Sequence, residues 1–153
     1  MKIKKIIIGS DHAGFKLKEI IKGYLCKKRL KVKDAGTDSL DSCDYPVFAA
    51  AVAKEVSKNR YNMGILICKT GIGNSIVANR FKGVRAALCY NLKACRLSRE
   101  HNNANILVLG AAFVRPALAK RMVNLWLNTP FLGGRHQRRL NKIKEIEKEI
   151  VCT

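Results

Sequence analysis

Short runs of β-branched and aliphatic residues recur along the chain at intervals that suit buried β-strands. Within most of these runs the apolar residues are consecutive rather than alternating with polar ones, which is typical of strands covered on both faces. The predicted strands span residues 5–8, 30–32, 63–67, 84–88 and 105–109.

Segments with helical spacing of apolar residues lie between these runs and after the last of them. The predicted helices span residues 15–28, 47–57, 74–81, 92–99, 116–127 and 135–151. The last helix follows a break at Gly133 and Gly134 and has no strand after it, so it is free to pack elsewhere, including on a second chain.

Strand and helix alternate throughout, which indicates an α/β fold with a parallel sheet between two layers of helices. We therefore expect a Rossmann-like three-layer sandwich with a five-stranded parallel sheet and an extra C-terminal helix. A length of 153 residues suits one domain, which we predict to span residues 1–153.

The charge of the chain first points to a polyanionic partner. Thirty Lys and Arg residues against 11 Asp and Glu residues give a formal net charge of +19, as in many proteins that bind nucleic acid or anionic membranes. The lysines, however, interleave with apolar residues, as on the wet faces of amphipathic elements. Only 7% of residues are aromatic, and the chain has no known nucleic-acid-reading motif. We therefore expect no nucleic-acid partner.

The cysteines and the apolar runs together favour a soluble protein of a reducing compartment, which we take to be the cytoplasm. There is no Cys-x-x-Cys pair and no His at a metal-binding spacing, so we expect no metal. The apolar run at residues 6–8 is too short for an export signal, and no stretch approaches the roughly 18 apolar residues of a membrane span. The six cysteines are Cys26, Cys43, Cys68, Cys89, Cys95 and Cys152.

Candidate chemistry follows the predicted strands, at the sheet edge where open parallel sheets bind ligands. The segment 68–74 reads strand, glycine-containing loop and helix start, whose amides and dipole suit a phosphate or an oxyanion. The segment does not fit a dinucleotide-binding turn, because the third glycine of that motif and the acidic residue after the next strand are both missing. A P-loop is excluded because Lys69 precedes the glycines.

Taken one at a time, the polar residues near these ends have ordinary structural explanations. Cys68, ahead of the anion-friendly helix start, could be a nucleophile, a base or an inert thiol. Asp11 could cap the first helix, with His12 in an exposed loop, and His101 could interact with a helix C-terminus. Arg135 and Arg139, at i and i+4, could clamp one phosphate or belong to a solvated basic face.

Several segments together resemble the type B ribose-5-phosphate isomerases, within the wider family that includes the subunits of galactose-6-phosphate isomerase. Each segment is a weak signal alone, but they occur jointly and in family order over nearly the whole chain. The matching segments are residues 9–15, 44–46, 64–68, 70–73, 78–79, 85–86, 98–105 and 133–139.

The resemblance implies interconversion of ribose 5-phosphate and ribulose 5-phosphate without metal or organic cofactor, in the non-oxidative pentose phosphate pathway. It implies dimers or tetramers whose active sites are shared between two chains. It further implies a role for each of the following residues: Cys68 as the base, Thr70 and the backbone of Gly71, Ile72, Gly73 and Asn74 around the oxyanion, His101 and Asp11 in ring opening, Tyr45 and Asn102 on sugar hydroxyls, and His12, Arg135 and Arg139 on the phosphate.

Two positions depart from the family pattern. Lys69 stands where Gly is common, and could favour the thiolate, point outward or contact the phosphate. Ala112 stands where an arginine often binds phosphate, and Arg115 lies three residues further on. The alternative substrate is a hexose phosphate, allose 6-phosphate or galactose 6-phosphate, because the pocket wall that measures sugar length cannot be read from one sequence.

Overall fold

The computed structural model describes residues 5–151, so that Cys152 lies outside the described part. It confirms the predicted α/β architecture, with eleven elements in strict alternation until the last two helices. The elements are β1 (Lys5–Ser10), α1 (Phe15–Lys27), β2 (Lys31–Asp34), α2 (Tyr45–Ser57), β3 (Met63–Cys68), α3 (Ile72–Ala78), β4 (Ala86–Leu88), α4 (Leu92–Glu100), β5 (Ile106–Gly110), α5 (Pro116–Asn128) and α6 (Arg135–Val151).

The strands form one parallel sheet in the order β2-β1-β3-β5-β4. The chain moves one way along the sheet from β1 to β2 and from β4 to β5, and the other way in the two remaining crossovers. Because such crossovers are right-handed, their helices must lie on opposite faces. Accordingly α1, α4 and α5 cover one face and α2 and α3 the other.

The central strands alternate their side chains between two hydrophobic clusters. Ile6 and Ile8 of β1 pack under α1 and α5 around the fully buried Trp126, whereas Ile7 packs under α2 beside Val52. All six residues of β3 are buried. This explains the consecutive apolar runs, since each central strand has helices on both sides.

The predicted and observed boundaries differ by one to three residues at every element except α6, most clearly at α3, β4 and β2. The helix α3 begins at Ile72, two residues before the predicted start, because Gly71 adopts the left-handed conformation (φ 85°) that caps it. Strand β4 begins at Ala86 rather than at residue 84, because the backbone of Val84 still belongs to a turn with Phe81. Strand β2 is displaced by one to two residues toward Asp34.

A buried ion pair ties the edge strand β2 to α1. Lys18 is 1% exposed and its ammonium contacts Asp34, which also accepts hydrogen bonds from Lys22 and from the Gly36 amide. Burial raises the pKa of the Asp34 carboxyl, but the hydrogen bonds from Lys18, Lys22 and Gly36 outweigh it, so that the pKa is lower than usual. The charged form of Asp34 therefore stabilises the start of the 35–44 loop.

We predict that Asp34→Asn lowers the free energy of unfolding by about 2 kcal/mol, because, within residues 5–151, it leaves the buried Lys18 charge with Glu19 as its one carboxylate partner. Urea denaturation measures this loss, with Asp38→Asn, at an exposed carboxylate, as control. Since the folded-state pKa is the lower one, the Asp34 contribution is complete above about pH 4 and disappears as the pH falls through the folded-state pKa. An unchanged denaturation curve for Asp34→Asn would contradict the prediction.

Candidate active site

The carboxyl ends of β1, β3 and β5 lie side by side in the sheet. The register pairs Ser10 with Ile67 and Cys68 with Gly110. The loops that follow these strands therefore share one edge, as the sequence predicts, and Cys68 lies in the middle of it. In parallel sheets this is the edge where ligands bind.

Cys68 ends β3 and is 5% exposed, on the face of the sheet that α2 and α3 cover. Its Sγ accepts a hydrogen bond from the Gly71 amide at 3.1 Å. The left-handed backbone of Gly71 turns that amide back toward the strand, and a Cβ there would lie 2.4 Å from Leu88 Cδ1. The thiol is thus held with a donor on its sulfur, an arrangement that suits a thiolate acceptor.

The loop after Cys68 is fixed to the loop after β5 and to β4. The amides of Ala111 and Ala112 donate to the carbonyl oxygens of Cys68 and Lys69, each at 2.9 Å. The Tyr90 hydroxyl donates to the Thr70 carbonyl at 3.0 Å, and Thr70 Oγ1 accepts from the Ile72 amide at 3.3 Å. These bonds hold the backbone of residues 68–72 in one conformation.

Both departures from the family pattern lie at this same edge. The side chains of Lys69 and Arg115 are exposed, and Ala112 is bonded to Lys69 through its backbone. Lys69 follows Cys68 directly in the chain, and Arg115 lies just before α5 in the loop after β5.

Asp11 and His12 follow β1 at the same edge, but Asp11 does not cap the helix α1. Gly14 occupies the N-cap position of α1, and Asp11 instead accepts its amide hydrogen through Oδ1 at 2.9 Å. Asp11 is buried, at 6% exposed, and its second carboxylate oxygen accepts no hydrogen bond from residues 5–151, so it can accept one from a ligand. The turn 11–14 is therefore organised around this carboxylate.

His12 is half-buried rather than exposed, and its tautomer is set by the 35–44 loop. Its Nδ1 accepts the Cys43 amide hydrogen at 3.1 Å, with the Cys43 Sγ at 3.7 Å from the same atom. A neutral imidazole that accepts at Nδ1 carries its hydrogen at Nε2. His12 therefore presents a donor to this edge without needing a positive charge.

Tyr45 reaches the site because Gly73 has no side chain. Tyr45 begins α2, and a Cβ on Gly73 would lie 2.4 Å from the Cζ of its ring. The ring thus packs directly on the first turn of α3. In the same turn, Asn74 is 1% exposed, and neither polar atom of its amide has a hydrogen-bond partner within residues 5–151.

The other predicted site residues lie at the opposite edge of the sheet. His101 and Asn102 follow α4, which runs back from the carboxyl edge to the start of β5. The strand β3 between the two edges spans roughly 17 Å at about 3.3 Å per residue. Arg135 and Arg139 belong to this second group, because the Leu132 amide ahead of α6 donates to the Glu100 carbonyl at 3.1 Å.

One chain therefore does not bring all the predicted residues together. The carboxyl edge holds Asp11, His12, Tyr45, Cys68 and the segment 70–74. The amino edge holds His101, Asn102, Arg135 and Arg139, the two arginines being exposed.

The structure adds three groups of residues that we did not predict from the sequence. His136 stacks on His101 with 4.2 Å between ring centroids. Cys43 orients His12, and Arg99 holds the turn after His101 through Asn103 Oδ1 at 2.8 Å. Three of these residues lie inside segments that match the family, which was a sequence signal for their importance: His136, Arg99 and Asn103. Nothing in the sequence marks Cys43.

No metal or membrane site emerges from the part of the chain that the structure describes. Within residues 5–151, no three His, Cys, Asp or Glu side chains are placed to hold a metal ion. Over the same residues, no helix has both the length and the apolar character needed to cross a bilayer. A cavity of about 860 Å³ opens beside α2, but its walls, which include Lys33, Lys54 and Phe81, contain none of the predicted site residues.

Comparison with known proteins identifies relatives over almost the whole chain. A family model described as Ribose/Galactose Isomerase matches residues 6–143. The chain is 44% identical over 146 residues to Ribose-5-phosphate isomerase B of Escherichia coli, covering 95% of this chain and 98% of that one. It is 47% identical to the Probable ribose-5-phosphate isomerase B of Mycoplasma genitalium, covering 94% of this chain and 96% of that one.

Solved structures agree with this result. Ribose-5-Phosphate Isomerase B of Clostridium thermocellum matches with a TM-score of 0.94 at 49% identity, covering 95% of this chain and 99% of that one. Ribose-5-phosphate Isomerase B of Mycoplasma genitalium, solved with bound ribulose 5-phosphate, matches with a TM-score of 0.92 at 46% identity, covering 95% and 97%.

We predict that Gly73→Ala lowers the free energy of unfolding by about 1 to 3 kcal/mol, because the new methyl group must displace the Tyr45 ring. Chemical denaturation measures the loss. In the double variant with Tyr45→Ala, most of the cost of the Gly73 substitution should disappear, giving a coupling free energy between the two positions.

The control is Gly23→Ala, in the exposed part of α1, where a Cβ meets nothing within 4 Å. This change should stabilise the helix by about 0.5 to 1 kcal/mol. Additive effects of the Gly73 and Tyr45 substitutions would show that the ring does not depend on the glycine.

Proposed function

The chain belongs to the ribose/galactose isomerase family, and on that premise we propose how its residues interconvert ribose 5-phosphate and ribulose 5-phosphate. The chain is an aldose–ketose isomerase, as its relatives named ribose-5-phosphate isomerase B are. The observation that carries the proposed mechanism is the position of Cys68 at the carboxyl edge, with the Gly71 amide on its sulfur.

Cys68 acts as the base that moves a proton between C2 and C1. The thiolate removes the proton from C2 of the open-chain aldose, the electron pair forms the C1–C2 double bond, and the negative charge falls on O1. A proton then passes from O2 to O1, and the thiol returns its proton to C1 to give the ketose. The cis-enediolate between these steps needs donors at its oxygens.

Those donors come from the loop and helix start after Cys68. Thr70 and the backbone amides of residues 71–74 stabilise the enediolate, because they are held in place before the charge develops. The hydrogen bonds from Ala111 and Ala112 to the carbonyls of Cys68 and Lys69 support this preorganisation.

The remaining residues open the sugar ring and bind the substrate. His101 exchanges protons with the ring oxygen and the C1 hydroxyl, with the buried carboxylate of Asp11 near them. Tyr45 and Asn102 bind sugar hydroxyls. The phosphate is bound by His12 through its Nε2 hydrogen and by Arg135 and Arg139 through their guanidinium groups.

The opposite positions of these two sets of residues support an active site shared between two chains. In one chain Cys68 and His101 lie on opposite edges of the sheet, too far apart to act on one five-carbon sugar. A partner chain that brings its own His101, Arg135 and Arg139 to Cys68 completes the site. The exposed side chains of Ile143 (44%) and Ile146 (53%) on α6 favour burial in such a dimer or tetramer.

The rest of the functional assignment follows from the same chemistry. The whole chain is proposed to be one isomerase domain, since its strands form a single sheet. A reducing compartment, the cytoplasm, keeps the Cys68 thiol able to act as a base. The relatives named for ribose 5-phosphate favour the pentose over a six-carbon sugar phosphate.

We predict that Cys68→Ala lowers kcat for ribose 5-phosphate by about 10³-fold, because it removes the base and leaves the phosphate ligands in place. Coupled assays of ribulose 5-phosphate formation measure the rate, and calorimetry measures binding of ribose 5-phosphate, which should persist. Cys26→Ala, at an exposed thiol of α1, is the matched control. Full activity of Cys68→Ala would exclude this thiol as the base.

We predict that two inactive variants, Cys68→Ala and His101→Ala, regain activity when they are mixed, unfolded and refolded together. A mixed dimer then contains one site with both residues intact, so random pairing returns about a quarter of the wild-type activity. Light scattering confirms the oligomer, and the separately refolded variants are the controls. A mixture that forms mixed dimers and stays inactive would show that each chain carries its own complete site.

A further inference from the structure

His136 has a defined position beside His101 but no role in the proposed mechanism. The two imidazole rings are stacked, with centroids 4.2 Å apart and planes inclined by 9°. His136 is 7% exposed, and His101 is half-buried. Arg135 and Arg139 on either side of His136 are exposed, so the helix α6 turns its histidine inward and its arginines outward.

Both sides of the stack are anchored by backbone contacts. Ahead of α6, the Leu132 amide donates to the Glu100 carbonyl at 3.1 Å, and the His136 amide donates to the Gly133 carbonyl at 3.0 Å. The first bond ties the segment before α6 directly to the residue before His101. The backbone that carries His136 is therefore held in place relative to the end of α4.

The turn after His101 is held in place by hydrogen bonds from two arginine side chains. Asn103 adopts a left-handed backbone (φ 45°), and its side-chain oxygen accepts from Arg99 Nη1 at 2.8 Å. The same Nη1 donates to the Ala104 carbonyl at 2.6 Å, and Arg85 Nε donates to the Asn103 carbonyl at 3.0 Å. The backbone around His101 is thus held, and its ring is the part left to be oriented.

The surroundings of His136 disfavour the charged form of its ring. Burial, together with the positive charges of His101, Arg135 and Arg139, lowers the pKa of His136 below its usual value. An uncharged His136 ring can lie flat against His101 without repulsion between like charges.

Resting on the proposed function, we propose that His136 is a positioning residue for ring opening: its stacked ring holds the His101 imidazole in the plane in which it meets the ring oxygen and the C1 hydroxyl of ribose 5-phosphate. Ring opening breaks the bond between C1 and the ring oxygen, takes a proton from the C1 hydroxyl and gives one to the ring oxygen. Both transfers need hydrogen-bond geometry at one imidazole. Stacking restricts the rotation of that imidazole without using either of its nitrogens.

The test separates ring opening from the proton transfer at C1 and C2. Ribulose 5-phosphate has no ring to open, so the exchange of its C1 hydrogen with D₂O, followed by NMR, reports the Cys68 step alone. Conversion of ribose 5-phosphate requires both steps. The variants are His136→Ala, which removes the ring, His136→Phe, which keeps a ring to stack, and Gln137→Ala, which shortens an exposed side chain on the same turn of α6.

We expect His136→Ala to lower kcat for ribose 5-phosphate by about tenfold or more while C1 exchange stays within about twofold of wild type. His136→Phe should keep most of both rates, and Gln137→Ala should match wild type. Equal losses of conversion and exchange in His136→Ala, no loss of either, or an equal loss of conversion in His136→Phe would overturn the proposal. Failure of the wild-type chain to convert ribose 5-phosphate would instead overturn the proposed function.

Discussion

Parallel pairing of β1, β3 and β5 is the constraint on which the rest of the molecule depends. Because the strands run the same way, every loop that follows a strand lies at one edge of the sheet and every loop that follows a crossover helix lies at the other. This places Cys68 beside Asp11 and separates it from His101. Each edge holds one part of the proposed site, and the fold of a single chain keeps the two parts at opposite ends of the strands.

The fold was predictable from the sequence because its strands are buried on both faces. The consecutive apolar residues of β1, β3 and β5 are too few for a helix and lie between segments with helical spacing, so a buried strand is the structure they indicate. The edge strands β2 and β4, half-exposed and short, were placed less accurately for the same reason. The start of α3 was missed because its cap is a left-handed glycine rather than a side chain.

Only two kinds of site residue could be predicted from the sequence: those that directly follow a strand, and those that match the family segments. Residues that follow strands could be assigned to one edge, and Cys68 could be singled out there by its loop. The stacking of His136 on His101 could not be predicted, because it depends on how α6 is rotated against the end of α4. The Cys43 amide on His12 is likewise a contact between loops far apart in sequence. The local interpretation of Asp11 as a helix cap was wrong, because Gly14 occupies that position.

The net charge of +19 and the Cys43 contact give the proposed phosphate ligands two different physical characters. Arginines attract a dianion through charge, which reaches far but is screened by salt within about 10 Å at 0.1 M. His12, with Nδ1 occupied by the Cys43 amide, contributes a directed N–H at a fixed angle. Its attraction is short-ranged and directional, and added salt screens it less than it screens the long-range field of the arginines. In the proposed site, the arginines therefore serve long-range capture of the substrate and His12 serves its final alignment, and ionic strength acts mainly on the capture.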